Sequence, residues 1–394
     1  MEDFLNKTFK PLAGTQTASA PAPVYMAIDI GSTQTRSSLF TKDAKMGELL
    51  IVDSNYEVVN RSIEHVASPD NNIISGLEMI LTDMAAESKA DPVFTEVHLI
   101  KGNLLSAVSN NQMRTSSSAS KIDQDATYFN VISNVAIQLL GYFMDNGIPA
   151  SNIDVNLTLA LPPEDTRFTP RLKKFIQRLA GEYSVEFVRF NTTLQFNITE
   201  NCNIISEPEA VAVFQTVQKQ LEGEEDSVVC VLDIGGRSTG ITFIDNQHLL
   251  LDSCVTIPLG GSKLISLLGR ELSSGLSILE PQPQRLIKVL STGKFKLGAQ
   301  QVDVTQQLND AKKEFASLIY SELTRAIDLN NIQMQNISKV FCSGHTFGEA
   351  PGSPSIMTNL AAAFKACCAF TEFSRIEVEN PILMGLIYHG IIHA

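Results

Sequence analysis

Two segments of the chain share a pattern that restricts its fold more than any other feature. The first segment reads AIDIGSTQTRSSLF at 27–40, and the second reads VLDIGGRSTGITFI at 231–244. Each combines an apolar run, the triplet Asp-Ile-Gly, a turn of small or hydroxyl-bearing residues and a second apolar run, which predicts a strand–turn–strand unit. A repeat on this scale predicts two similar domains that face each other across a cleft.

The residue types in the two turns are those that bind phosphate. Glycine lets the backbone approach a ligand closely, and successive N–H groups of a turn form an anion-binding nest. An aspartate at the end of a strand can hold Mg²⁺ directly or through water. Either unit alone is also compatible with a plain β-hairpin, but the occurrence of both favours a polyphosphate site. The chain contains no GxxxxGK[ST] motif and no GxGxxG motif after a strand, which argues against a P-loop and a dinucleotide fold.

Composition excludes several classes of protein. The 394 residues include 43 Asp and Glu against 30 Lys and Arg, a net charge of −13, which argues against a chain that coats nucleic acid. The chain has no run of about 18 apolar residues, and its start, MEDFLNKTFK, lacks the apolar core of a secretory signal. The six cysteines and six histidines show no zinc-binding spacing, and free buried thiols in a reducing compartment are expected. These observations favour a cytoplasmic protein.

Strand and helix patterns alternate along the chain, which predicts an α/β protein. Residues 1–23 end in AGTQTASAPAP and are expected to be a flexible tail, or else a docking segment. Residues 67–126 show no clear pattern. Strands are predicted at 24–31, 36–41, 47–54, 57–66, 154–165, 185–199, 227–245, 248–258 and from 337. Helices are predicted at 127–147, 166–181, 259–272, 304–327 and 379–392.

Five motifs in order resemble the actin, heat-shock-chaperone and sugar-kinase ATPase superfamily. DIGSTQTR (29–36) and DIGGRSTG (233–240) resemble its first and second phosphate loops. IISEPEAVAVF (204–214) and NPILMGLIYHG (380–390) resemble its two connecting segments, and SGHTFGEAPG (343–352) resembles its adenosine loop. Together they extend from about 24 to 392. The resemblance implies two actin-like, ribonuclease-H-like domains around a nucleotide cleft.

Within the superfamily, the chain looks most like the bacterial actin-like plasmid-segregation proteins of the ParM type, and MreB-like proteins stay open as an alternative. Arg36 in the first loop and Pro208-Glu209 in the first connecting segment carry this likeness. The resemblance implies domain I at 24–206, completed by 366–394, and domain II at 207–365. It also implies an ATPase that forms filaments with itself and moves plasmid or other DNA through an adaptor protein, without binding nucleic acid or membrane directly. A non-polymerising ATPase, chaperone-like or a small-molecule kinase, stays open, as does a scaffold that binds nucleotide without turnover.

The resemblance also implies roles for individual residues around ATP and Mg²⁺. Asp29 and Asp233 would orient the metal and its waters. Contacts to phosphate oxygens would come from Gly31, Ser32, Thr33 and Arg36 on one side and from Gly235, Gly236, Arg237 and Ser238 on the other. Arg36 could instead be an exposed strand residue.

Hydrolysis requires a group that orients water in line with the γ-phosphate. By the resemblance, Glu209 is the first candidate, with Glu207 its neighbour and Asp233 also in a catalytic role. Each glutamate could instead be a carboxylate that stabilises a helix N-terminus. Glu164, after LALPP, is a weaker candidate.

Contacts to adenosine are implied for two further loops and one helix. Gly344 and Gly348 would allow close approach to adenosine, and Gly260 and Gly261 resemble another nucleotide-contacting turn. Lys312, Lys313 and Glu314 lie on the 304–327 helix, which lines the ribose and adenine in the family. Their alternative role is a solvated helix face.

Overall fold

The structure is a computed structural model, and it describes most of the chain. The described residues are 23–31, 34–41, 49–53, 56–58, 76–102, 120–146, 153–217, 227–245, 248–250, 253–279, 281–344, 350–365, 371–376, 378 and 380–393. The predicted 1–23 tail therefore lies almost wholly outside the described residues, as do Ser32, Thr33 and Gly348.

Strands and helices alternate through the described residues. The strands are β1 (Val24–Ile30), β2 (Gln34–Phe40), β3 (Leu50–Asp53), β4 (Tyr56–Val58), β5 (Gly76–Asp83), β6 (Glu96–Gly102), β7 (Ile153–Leu161), β8 (Gly181–Phe187), β9 (Thr192–Ile198), β10 (Asn203–Ser206), β11 (Val228–Ile234), β12 (Thr239–Asp245), β13 (His248–Leu249), β14 (Val255–Ile257), β15 (Lys294–Leu297), β16 (Gln300–Asp303), β17 (Ile337–Ser343) and β18 (Glu372–Arg375). The helices are α1 (Asp125–Asn146), α2 (Pro163–Thr166), α3 (Thr169–Leu179), α4 (Glu207–Val217), α5 (Gly261–Leu276), α6 (Pro283–Thr292), α7 (Thr305–Leu329), α8 (Ile356–Lys365) and α9 (Pro381–His393).

The chain divides into two compact units. Unit 1 is Met1–Val213 with Ile382–Ala394, and unit 2 is Phe214–Pro381. The first division falls inside α4, whose Ala210 packs with Leu386 and Ile387 of α9 in a small apolar cluster of unit 1. The close fit of these two helices requires Gly385, because a Cβ there would come within 1.7 Å of the Ala210 carbonyl oxygen.

Unit 1 is built on a mixed sheet with the order β3-β2-β1-β7-β9-β8-β5-β6-β4, and β10 pairs with β7. β1 runs antiparallel to β2 and parallel to β7. α1 packs against β1 and β2. Full burial of an Ile or Leu side chain such as Ile28 or Leu159 contributes roughly 1.5–3 kcal/mol, so the apolar run of β1 explains its central place.

Unit 2 has a smaller sheet with the order β13-β12-β11-β17-β18, and β14 pairs with β12. β11 runs antiparallel to β12 and parallel to β17. α5 packs against α7, and α7 against α8. β15 and β16 form a separate hairpin beside α6.

The two units repeat one arrangement of strands. β3-β2-β1-β7 in unit 1 corresponds to β14-β12-β11-β17 in unit 2, with two antiparallel pairings followed by a parallel one. Asp29 and Asp233 are each the penultimate residue of the central strand. The predictions of a repeated strand–turn–strand unit and of an α/β fold are confirmed.

Two predictions of secondary structure need correction. The pattern predicts no element in 67–126, yet β5 and β6 pair antiparallel there. Polar residues interrupt their apolar pattern and are paired in the fold: His98 Nε2 lies 3.0 Å from Glu78 Oε1, and Lys101 Nζ donates to Asn130 Oδ1 at 2.7 Å. The single strand predicted at 248–258 is two short strands, β13 and β14. The predicted strand at 57–66 is described only as far as Val58, in β4.

None of the described helices combines the length and the hydrophobicity that a membrane crossing requires.

Candidate functional site

Asp29 is a buried carboxylate at the end of the central strand of unit 1. Its side chain is 5% exposed, and its Oδ2 accepts a hydrogen bond from Arg36 Nη1 at 3.2 Å. The two residues are direct cross-strand partners in β1 and β2, so the antiparallel register itself brings them together. Arg36 is 15% exposed, which excludes its alternative role as a solvated strand residue.

The charge of Asp29 is only partly compensated within unit 1. Burial raises the pKa of this carboxyl above its usual value, and the nearby Glu207 raises it further, while Arg36 and Lys121 act in the opposite direction. A buried acid that the surrounding cations do not fully stabilise in its charged form fits a site that receives a further cation.

Lys121 joins three segments of unit 1 and is not among the residues singled out by the sequence. Its Nζ donates to the carbonyl oxygen of Ile30 at 2.6 Å and to Oε1 of Glu207 at 2.7 Å. Burial alone would lower the pKa of Lys121, but Glu207, Asp29 and Asp165 raise it above its usual value. The ammonium group therefore stays charged between the end of β1 and the first residue of α4.

Asp165 holds the turn that carries Lys121. Its Oδ2 accepts from the Lys121 backbone N–H at 2.8 Å, and its Oδ1 accepts from the Ser120 hydroxyl. Asp165 is buried, whereas the predicted weaker candidate Glu164 is exposed. We call Asp29, Arg36, Lys121, Asp165 and Glu207 the charged cluster.

The two glutamates of the first connecting segment have different surroundings. Glu209 Oε2 accepts from the Ser206 backbone N–H at 3.3 Å, while Ser206 Oγ accepts from the Glu209 backbone N–H at 3.2 Å. This reciprocal pair is a capping box at the start of α4. Burial raises the pKa of Glu209, and the bonds to Ser206 oppose the rise. Glu207, by contrast, is ion-paired with Lys121.

Asp233 takes the place of Asp29 in unit 2, with different neighbours. Its cross-strand partner in β12 is Gly240, and its parallel partner in β17 is Ser343. The Ser343 hydroxyl donates to Asp233 Oδ1. The sequence pattern does not mark Ser343 as a site residue, although it directly precedes Gly344 in the predicted adenosine loop.

The turn after Asp233 is held by the start of α5. Gly235 N–H donates to the Ser238 carbonyl at 2.8 Å and closes the turn. Gly261 and Ser262 N–H donate to the carbonyls of Gly235 and Gly236 at 3.0 and 2.8 Å. Two of the N–H groups that a helix start leaves without a helical partner are thus used on the turn.

Two glycines allow this packing. A Cβ at Gly260 would lie 2.4 Å from the Arg237 carbonyl carbon and 2.5 Å from the Ser238 nitrogen. Gly344 has φ +115, and a Cβ there would lie 1.9 Å from the Ile234 carbonyl oxygen, so only glycine fits. The described structure therefore assembles one group, which we call the glycine cluster: Asp233, Gly235, Gly236, Arg237, Ser238, Gly260, Gly261, Ser343 and Gly344.

The three predicted residues of α7 do not behave as one group. Lys312 is fully buried, and its Nζ donates to Ser353 Oγ at 3.0 Å, which excludes a solvated face for it. Glu314 is paired with Arg270 of α5 at the surface, and Lys313 is exposed. The geometry therefore separates Lys312, in the core of unit 2, from its two neighbours.

No group of three or more His, Cys, Asp or Glu that could hold a metal ion occurs among the described residues.

Comparison with known proteins gives the fold its name. Residues 231–344, which include the second half of β11 together with β12, α5, α7 and β17, match the family model of the archaeal actin homologue MreB-like C-terminal domain. Ta0583, an archaeal actin homologue, is 15% identical over 94% of this chain and 100% of its own, with a TM-score of 0.67. The chain has an actin-like fold.

ParM-type proteins are also similar. The subunit of a 15-stranded ParM filament from Clostridium botulinum is 15% identical, covers 93% of this chain and 99% of its own, and has a TM-score of 0.63. ParM of Bacillus thuringiensis with ATP is 12% identical over 94% and 99%, with a TM-score of 0.59. Among curated proteins, none matches the chain. The resemblance to the actin-like superfamily, with ParM-type structures among the similar ones, is confirmed.

Proposed function

We propose that this chain is an actin-like ATPase that polymerises when ATP binds and depolymerises after hydrolysis to ADP and phosphate. The observation that carries the proposal is the charged cluster. The cluster brings two buried aspartates, a glutamate and two cations together beside Gly31 of the predicted first phosphate loop. A packed core gains little from buried charges, so their concentration at this point favours a chemical role.

Within this proposal, Glu207 orients the attacking water, with Asp233 in the second catalytic position. Glu207 lies within electrostatic range of Asp29 and is fixed by Lys121. Glu209, the first candidate from the resemblance, has its carboxylate engaged with the backbone of Ser206 in a capping box. The geometry therefore favours Glu207 for the water and a role in helix capping for Glu209.

Phosphate contacts are assigned to both clusters. In the charged cluster, Arg36 would donate a charge-assisted hydrogen bond to phosphate, and the backbone of Gly31 would add a second donor. Ser32 and Thr33 are kept as phosphate contacts from the resemblance. The turn Gly235–Gly236–Arg237–Ser238 supplies the second set. Asp29 and Asp233 are the proposed magnesium ligands, directly or through water. Magnesium would neutralise charge that develops on the phosphate oxygens.

The adenosine would contact the loop at Gly344 and Gly348, and Lys313 and Glu314 of α7 are kept as contacts from the resemblance. Lys312 is left out, because its side chain is fully buried and bonded to Ser353. Gly260 and Gly261 support the phosphate turn, because the Gly261 N–H group bonds to the Gly235 carbonyl. Among similar structures, Ta0583 is found with ADP and ParM of Bacillus thuringiensis with ATP and with AMPPNP.

Self-association is proposed because a structure of similar fold is a ParM filament. The proposed biological role is movement of plasmid or other DNA inside the cytoplasm through a separate DNA-binding adaptor. The net charge of −13 supports an adaptor rather than direct binding of DNA.

High-speed sedimentation with ATP, with ADP and without nucleotide, while phosphate release is followed, tests the proposal. We expect ATP-dependent pelleting and phosphate release that rises above a critical protein concentration. Phosphate release that is linear in protein, with nothing in the pellet, would identify a non-polymerising ATPase, chaperone-like or a small-molecule kinase. Binding of ATP without phosphate release would identify a nucleotide-binding scaffold.

A further inference from the structure

We propose that Lys121 is a positioning residue for hydrolysis, which fixes the Glu207 carboxylate and ties it to the strand that ends at the first phosphate loop. This inference rests on the proposed function and adds to it a residue that the sequence pattern does not mark.

The contacts of Lys121 meet the geometric requirements of such a role. One ammonium group bonds at 2.6 Å to the carbonyl of Ile30, the last residue of β1, and at 2.7 Å to Glu207, the first residue of α4. The next residue after Ile30 is Gly31. A displacement of the loop at Gly31 would therefore be transmitted to the Glu207 carboxylate through a single side chain.

Lys121 is itself held in place. Its backbone N–H bonds to Asp165 Oδ2 at 2.8 Å, and the same carboxylate accepts from the hydroxyl of the preceding Ser120. Asp165 is 1% exposed and lies in α2, directly after the buried strand β7. The position of the ammonium group is thus set by a rigid element of unit 1 rather than by the side chain alone.

An exclusively structural role is the competing explanation, and unit 1 contains a matched control for it. Lys89 is also nearly buried, pairs with Asp83 at 2.8 Å and donates to the backbone carbonyl of Arg178 at 3.1 Å. Its side chain is 10% exposed against 13% for Lys121. The two lysines share burial, a carboxylate partner and a carbonyl partner, but only the Lys121 carboxylate partner is a proposed catalytic group.

The experiment compares Lys121→Met, Lys121→Arg and Lys89→Met in full-length protein by steady-state ATP hydrolysis, with folding checked by circular dichroism and thermal melting. We expect Lys121→Met to lower kcat by about 10- to 100-fold while KM for ATP changes less than about threefold, since a misplaced water-orienting group costs this much. Lys121→Arg should recover part of kcat, because it keeps the charge. Lys89→Met should lower the melting temperature but leave kcat near that of the wild type.

A double variant sharpens the test and stays informative if the single variant Lys121→Met does not fold. Lys121→Met with Glu207→Gln removes both charges together, so no buried charge is left unpaired. If Lys121 acts through Glu207, the double variant should be no slower than Glu207→Gln alone. Multiplicative losses, a raised KM with unchanged kcat, or equal losses in Lys89→Met would each overturn the inference. Absence of hydrolysis by the wild type would instead overturn the proposed function on which the inference rests. The two failures are therefore distinguishable.

Discussion

The two units hold an aspartate on corresponding strands but surround it with different chemical groups. In unit 1, Asp29 faces Arg36 across the antiparallel pair, and Lys121 and Glu207 lie nearby. In unit 2, Asp233 faces Gly240 and is bonded to the Ser343 hydroxyl, and the adjoining turn is closed by backbone hydrogen bonds. Charged side chains therefore surround the aspartate of unit 1, whereas a hydroxyl group and a closely packed turn, held by backbone N–H groups, surround the aspartate of unit 2. A repeat in topology therefore does not imply a repeat in the surroundings of the two aspartates.

The first prediction tests whether the buried ion pair of unit 1 stabilises the protein more than an exposed ion pair of unit 2. Arg36→Met removes the partner of a buried carboxylate and should lower the free energy of unfolding by about 3–5 kcal/mol. The comparison is Lys339→Met in unit 2, which breaks an exposed pair with Glu372 at 3.6 Å and should cost less than about 1 kcal/mol. Urea denaturation of both variants measures the difference. Equal losses would remove the electrostatic distinction between the units.

The second prediction concerns the close packing of unit 2. Gly260→Ala should destabilise the protein by about 1–3 kcal/mol, because the new Cβ would collide with the backbone of Arg237 and Ser238. The control is Gly141→Ala in α1, where a Cβ meets nothing within 4 Å and alanine favours the helix, so no loss is expected. Thermal melting with and without ATP would show whether the defect also weakens nucleotide binding. A melting temperature for Gly260→Ala as high as that of the control would contradict the prediction.

The third prediction tests the capping role of Glu209 at the start of α4. Glu209→Ala breaks the capping box and should cost about 1 kcal/mol, whereas Glu209→Gln keeps the reciprocal bonds and should cost less. Chemical denaturation of both variants is the measurement. If alanine and glutamine are equally destabilising, the hydrogen bond to Ser206 contributes nothing and the capping role fails.

The last prediction is a pH dependence in unit 1. Burial, with a smaller contribution from His393, lowers the pKa of His389 in α9 from 6.5 to about 4. Between these values the unfolded chain binds a proton that the folded chain does not, so stability falls as pH decreases from 6.5 towards 4. His389→Gln should reduce this acid sensitivity, as measured by melting temperature at intervals of pH. An unchanged slope would show that other groups determine it.

The sequence predicts the unit-2 turn better than the unit-1 cluster. Asp-Ile-Gly and the glycines at 235 and 236 are local signals, because they report a turn made within a few residues. Gly260 and Gly344 approach backbone that is distant along the chain, at Arg237 and Ile234, but glycine marks such an approach by its residue type alone. Lys121 gives no such signal. It lies in a region without periodicity, and its partners Ile30, Asp165 and Glu207 are distant along the chain. Glu209 and Glu207 could not be separated by pattern either, since only the fold shows which carboxylate turns back to cap its own helix.

Parallel measurement of phosphate release by Glu207→Gln and Glu209→Gln tests most directly the claim that the chemistry depends on the charged cluster. Each substitution neutralises one carboxylate, and the two glutamates lie two residues apart in α4. We predict that Glu207→Gln loses about 100-fold or more in kcat while ATP binding persists, and that Glu209→Gln stays within a few-fold of the wild type. The reverse order, or equal rates in both variants, would contradict the account.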